Sequence, residues 1–271
     1  MKKIRTLTSW ITQALFVVAI VSGIPLVFFY HPTNAYNSVQ KITFLIPYGF
    51  FIRKLHYFSS ELLLVFIILH LLEQMFSKET NITKLSWTLA TTATALIILL
   101  LFTGFILKAD QGGHSAALVA ISMVHNLPGI SILSRLFESY SHYFYYKFFL
   151  WHILFLPALV SLLLNYHSKR IDAPIDFVSI SLALSIIAMV ILPFPKDIPL
   201  NITVHGYIRG PWFFEGVERM LDFGMSNVII VLLSMLLPFL IVFYFPFAKN
   251  KNIVKFLFFL WLIFYVSISL V

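Results

Sequence analysis

The sequence predicts an all-α integral membrane protein with about seven transmembrane helices: a four-helix bundle followed by three further helices. Three observations predict this. Hydrophobic residues fill 60% of the 271 positions and charged residues only 11%. Mean hydropathy is +0.92, a value at which a soluble domain of this length could not bury its own apolar surface. Apolar runs long enough to cross about 30 Å of hydrocarbon recur along the whole chain.

The first span is placed at 8–30. It is too long for a signal-peptide core and lacks a small-x-small cleavage site, so it reads as a retained helix. Further spans fall near 51–76, 86–108, 147–167, 176–194, 227–247 and 254–271, separated by longer loops at 31–50, 109–146 and 195–226. Ten of the nineteen basic residues, from Lys2, Lys3 and Arg5 to Lys249, Lys251 and Lys255, crowd the short segments between spans. The positive-inside rule then puts the N-terminus in the cytoplasm and the C-terminus outside. The expected location is the cytoplasmic (inner) membrane of a prokaryote. The net charge of +8 faces anionic lipid headgroups rather than nucleic acid. Cysteine is absent, which excludes disulfides, iron–sulfur ligation and covalent haem attachment within this chain.

Ionisable side chains inside apolar spans mark function. The second span holds His56 and His70, fourteen residues apart, and the fourth holds His152 and His167, fifteen apart. At about 100° per residue, each pair stays on one helix face with a rise of about 21–22 Å. One span intervenes, so the two helices run in the same direction and His56 is level with His152, His70 with His167. A single histidine in such a span is more often a hydrogen-bonded bundle residue; two matched pairs point to metal. Facing imidazoles at each level can supply both axial ligands of a haem iron, a state suited to electron transfer. Zinc fits less well, with no cysteine or carboxylate to complete either site. Ser9 and Gly23 in the first span, and Ala90 and Gly104 in the third, are also fourteen apart. They read as clearance for the flat faces of two haems.

With these features the chain resembles the cytochrome b family of quinol–cytochrome c and quinol–plastocyanin reductases. The likeness is carried by SGIPLVFFYHPTNAYNSVQKI (22–42), RKLH (53–56), WTLA (87–90), GFILKADQ (104–111) and KFFLWHILFLP (147–157). The spacing in the fourth span resembles the chloroplast-type branch. The resemblance implies a dihaem cytochrome b over 1–170 and a three-helix part like subunit IV over 171–271. It also implies two haem b groups, quinol as substrate, and Arg53 as the partner of a haem propionate.

Two motifs depart from the family. Its Pro-Glu-Trp-Tyr becomes Gly210-Pro211-Trp212-Phe213, which keeps Trp212 but puts a proline where a proton-accepting glutamate stands. Its Leu-Pro-Trp-Asp-Gln becomes Leu-Lys-Ala-Asp-Gln, with Lys108 and Ala109 at the altered positions. The proton acceptor for quinol is therefore sought among Asp110, Glu215 and Glu218, with His114 and Glu61 on the same side. Glu61 lies about 140° around the helix from His56 and has no role fixed by the sequence alone. Lys169, Arg170, Asp172 and Asp176 mark the inner boundary or a second quinone site. His31, His125, His142 and His205 read as loop histidines.

The expected function is a dihaem b-type subunit of a quinol-oxidising respiratory complex. A Rieske iron–sulfur protein or a c-type cytochrome is expected from other subunits, lipid is the surrounding partner, and a homodimer is allowed. The alternative is a haem-bearing anchor that relays electrons to a peripheral multihaem cytochrome or dehydrogenase without bifurcation. A haem-free transporter is the third class.

Overall fold

A computed structural model describes residues 6–77, 82–127, 143–168, 172–201 and 210–270. Six helices in it are long and apolar enough to cross a membrane: α1 (Leu7–Phe29), α3 (Gly49–Phe76), α4 (Lys84–Ile106), α6 (Phe144–Ser168), α9 (Asn227–Phe247) and α10 (Lys251–Leu270). The seventh expected span, 176–194, is the shorter α7 (Ile175–Ile191), of 17 residues. It stops at Leu192, where extended backbone precedes Pro193, as the steric demand of a following proline requires. The regions read as loops contain further helices: α2 (Ala35–Phe44), α5 (Gln111–His125) and α8 (Glu215–Asp222).

Side-chain caps set several helix starts. Thr6 accepts from the Ser9 N–H, Thr83 from Ser86 and Asp110 from Gly113, each satisfying a backbone donor that the first turn leaves without a helical partner. Ala109 takes a left-handed φ of 52° to end α4. Gly49 opens α3 because a Cβ there would lie 1.9 Å from the Ile42 carbonyl of α2.

Helices α1 and α3 pack together, as do α4 and the second half of α6; α7 lies against α1 and α3, and α9 against α4 and α10. The core of the first four spans joins Leu15 and Phe16 of α1, Leu63 of α3, Ile97 of α4 and Val160 of α6, all nearly or fully buried. Phe16, Leu63 and Ile97 are each seven residues from both tier positions on their own helix. An apolar layer therefore separates the two histidine levels.

Two proline-linked π turns shape the bundle. In α9, the turn Leu232–Leu236 precedes Pro238, which has no N–H, and the Leu233 carbonyl accepts instead from Trp261 Nε1 of α10 at 2.7 Å. In α6, the turn Trp151–Phe155 contains His152 and precedes Pro157. The wider turn absorbs one residue, so the fifteen-residue interval in α6 matches the fourteen of α3.

Candidate functional site

Imidazole position is set by neighbouring helices. The Nδ1–H of His56 donates to the Ala19 carbonyl of α1 at 2.9 Å, and that of His152 to the Leu100 carbonyl of α4 at 3.1 Å. At the other level, His167 Nδ1 donates to the Ser86 carbonyl at 2.7 Å, and His70 Nδ1 to the Thr8 hydroxyl at 2.9 Å. Thr8 in turn donates to Glu73. Donation from Nδ1 fixes the tautomer that carries its lone pair on Nε2, the form a metal binds. Helix α1 thus orients both histidines of α3, and α4 both histidines of α6.

The His56 and His152 rings are 6.1 Å apart, centre to centre, and nearly perpendicular. Leu63 and Val160 share one core cluster below them, so α3 and α6 descend in the same direction. Gly23 and Gly104 lie against the imidazoles. A Cβ at Gly23 would lie 3.0 Å from His56 Cε1, and one at Gly104 2.7 Å from His152 Cε1. The glycines make room for the imidazoles themselves, one turn beyond the carbonyls that hold them. Ala90 stands one turn beyond Ser86 in the same relation. Ser9 follows Thr8, whose hydroxyl makes the contact to His70.

A cavity of about 280 Å³ opens at the His56/His152 tier, lined also by Gly23, Gly104, Arg53, Tyr57, Glu61, Phe105, Lys108, Pro157, Phe194, Pro211 and Phe213. Arg53 binds Asp197 through two N–H donors at 2.6 and 2.7 Å and Thr43 through one at 2.8 Å. Asp197 also accepts from Gln40 at 3.2 Å, and the Ile198 carbonyl accepts from Gln111 N–H at 2.8 Å. The segment after α7 is thereby strapped over this end of the bundle, with Phe194 in the cavity wall. Glu61 accepts from Trp212 Nε1 and from the Tyr57 hydroxyl.

The expected proton acceptors lie elsewhere. Asp110, 2% exposed, caps α5 through the Gly113 N–H and pairs with Lys108 at 3.0 Å. Glu215 pairs with Arg219 at 3.3 Å, and Glu218 accepts from the Gly210 N–H at 2.8 Å. None of the three lines the cavity. His114, on α5, hydrogen-bonds Tyr145 at 3.1 Å, and burial lowers its pKa below the usual imidazole value. Asp176 is in the first turn of α7 and His125 ends α5. Lys169, Arg170, His142, His205 and Arg209 lie outside the described residues.

The cytochrome b/b6/petB family model matches residues 4–172. The chain belongs to the cytochrome b/b6 family. Cytochrome b6 of Heliomicrobium gestii is 27% identical over 172 residues, 58% of this chain and 77% of that protein. Cytochrome b6 of Cyanidium caldarium is 28% identical over 166 residues, 58% of this chain and 76% of that one. A chain of a hyperthermophilic respiratory Complex III superposes with a TM-score of 0.75 at 16% identity, covering 99% of this chain and 84% of that one. The fold match thus extends through α9 and α10, beyond the part the family model covers. Cytochromes of this family are membrane subunits of quinol-oxidising electron-transfer complexes and carry b-type haem.

The donor set suits that group. Two neutral imidazoles per level, each anchored through Nδ1, match axial ligation of haem iron. The glycine-lined contacts at Gly23 and Gly104 would be filled by any Cβ, as a ligand held against its supporting helix requires.

Proposed function

We propose that the chain is the dihaem subunit of a quinol-oxidising respiratory complex, with one b haem between His56 and His152 and another between His70 and His167. The observation that carries the reading is the fixing of all four Nδ1 atoms by α1, α4 and their hydroxyls, at two levels of one bundle. Bound there through two imidazoles, a haem supplies one-electron transfer and no open site for oxygen. Arg53 has five N–H donors, and Asp197 and Thr43 use three of them. Two remain for a propionate at the cavity edge. Residues 1–170 form the haem-bearing unit and 171–271 the part like subunit IV. The N-terminus is cytoplasmic, which puts the His56/His152 tier near the outer face. A Rieske protein or c-type cytochrome on that face receives electrons, and the assembly allows a homodimer.

The test is haem quantification with a redox titration of the purified complex. Two b haems per chain with separated midpoint potentials are expected, and His70→Ala is expected to remove one and leave the other. One haem or none in the wild-type chain overturns the reading. A second reading, a conduit without bifurcation, is favoured by Pro211, which cannot accept a proton. Co-purification of a multihaem cytochrome or dehydrogenase instead of a Rieske protein would select it.

A further inference from the structure

Oxidation of a quinol at the His56/His152 tier needs a base in the cavity, and the carboxylates of Asp110, Glu215 and Glu218 are held outside it. We propose that Glu61 of α3 accepts the quinol proton. The assignment rests on the function proposed above and deepens it.

Glu61 is the single carboxylate among the described residues lining the cavity. It lies five residues from His56, a rise of about 7.5 Å along α3. Among the described residues no lysine or arginine pairs with it, although a carboxylate within a membrane helix is costly and is retained for function. The cations that share the cavity lining with it pair with other carboxylates, Arg53 with Asp197 and Lys108 with Asp110. Its two hydrogen bonds come from Trp212 Nε1 and the Tyr57 hydroxyl. A carboxylate offers about four acceptor positions, so capacity remains for a quinol hydroxyl. The lining it shares includes the apolar Phe105, Phe194, Pro211 and Phe213.

Trp212 is 49% exposed and does not line the cavity. Glu61 is therefore held by a side chain outside the cavity lining; the indole N–H only donates, so it fixes the carboxylate and takes no proton from it. In the step itself the quinol O–H bond breaks and a carboxyl O–H bond forms on Glu61. The second proton goes to solvent. The two electrons leave singly, one to the b haem of this tier and one to a high-potential iron–sulfur or c-type centre of a partner subunit. The tryptophan of the altered Gly210-Pro211-Trp212-Phe213 run thus holds a carboxylate from another helix.

The test is Glu61→Gln in the purified complex. Glutamine keeps the size, and its amide oxygen still accepts from Trp212 and Tyr57, so the architecture is retained while the base is removed. Unchanged haem content and potentials are expected, with the pre-steady-state rate of haem reduction by a short-chain quinol falling about 100-fold. Glu61→Asp is expected to recover part of the rate and to shift a carboxyl band in the redox-difference infrared spectrum. Wild-type rates in Glu61→Gln across the pH range, or an unshifted band in Glu61→Asp, overturn the proposal. A wild-type complex that holds two b haems but takes no electrons from quinol removes the parent reading, and this assignment with it.

Discussion

The His152 imidazole is held between a carbonyl on one side and a missing methyl on the other, and Gly104→Ala perturbs that balance. The added Cβ would lie 2.7 Å from His152 Cε1, whereas ordinary contact begins at 3.4 Å. The ring must give way, yet its Nδ1–Leu100 bond at 3.1 Å is already near the roughly 3.2 Å limit of an N–H···O bond. Overpacking of this kind costs about 1–3 kcal/mol, against the roughly 0.5–1 kcal/mol by which alanine improves a helix interior. The steric term wins. At about 1.4 kcal/mol per tenfold, the gross cost corresponds to about 5- to 150-fold weaker haem retention at this tier. Gly23→Ala, with 3.0 Å to His56 Cε1, should sit near break-even. The assay is haem per chain and the reduced-minus-oxidised α-band after purification, with redox titration of whatever remains. Gly104→Ala should lose or shift the haem of this tier and spare the other. Two haems at unchanged potentials in Gly104→Ala would refute the assignment of Gly104 as clearance for a ligating ring.

Other perturbations follow the same logic. Asp197→Ala leaves Arg53, 11% exposed, without its bidentate partner; removal of one partner from a near-buried pair costs about 3–5 kcal/mol, so the thermal midpoint of the complex should fall, and an unchanged midpoint would count against the strap. Burial lowers the folded pKa of His114 below 6.5, so the folded state binds fewer protons there than the unfolded one. Its contribution is full above about pH 6.5 and falls as the pH drops, levelling off below the folded pKa. His114→Gln should flatten that acid limb in denaturation curves, and a limb of unaltered slope would assign it to other groups.

Much of this was legible in the chain. Hydropathy located the spans to within a few residues, because the lipid-facing and core-facing sides of these helices are both apolar. The histidine intervals gave two levels because helical pitch is regular. The reading failed where pitch is not regular or where partners are remote. The π turn at Trp151–Phe155 has Pro157 as its sequence trace, but a proline in a span signals a kink as readily as a wider turn. Asp197 is 144 residues from Arg53, and Trp212 is 151 from Glu61; no local pattern announces either contact. The short helices α2 and α5 were hidden in segments whose polarity resembles that of loops. Gly23 and Gly104 were found by spacing, and only tertiary packing shows that each lies against an imidazole.

The layer of Leu15, Phe16, Leu63, Ile97 and Val160 has a consequence of its own. Its side chains hold no hydroxyl, amide or carboxylate along which hydrogen ions could hop, whereas electrons tunnel through saturated hydrocarbon without needing a polar foothold. A bundle built this way behaves as a dielectric between two plates. With a haem at each level, as proposed above, an electron crossing this layer would leave its proton behind and charge the bilayer.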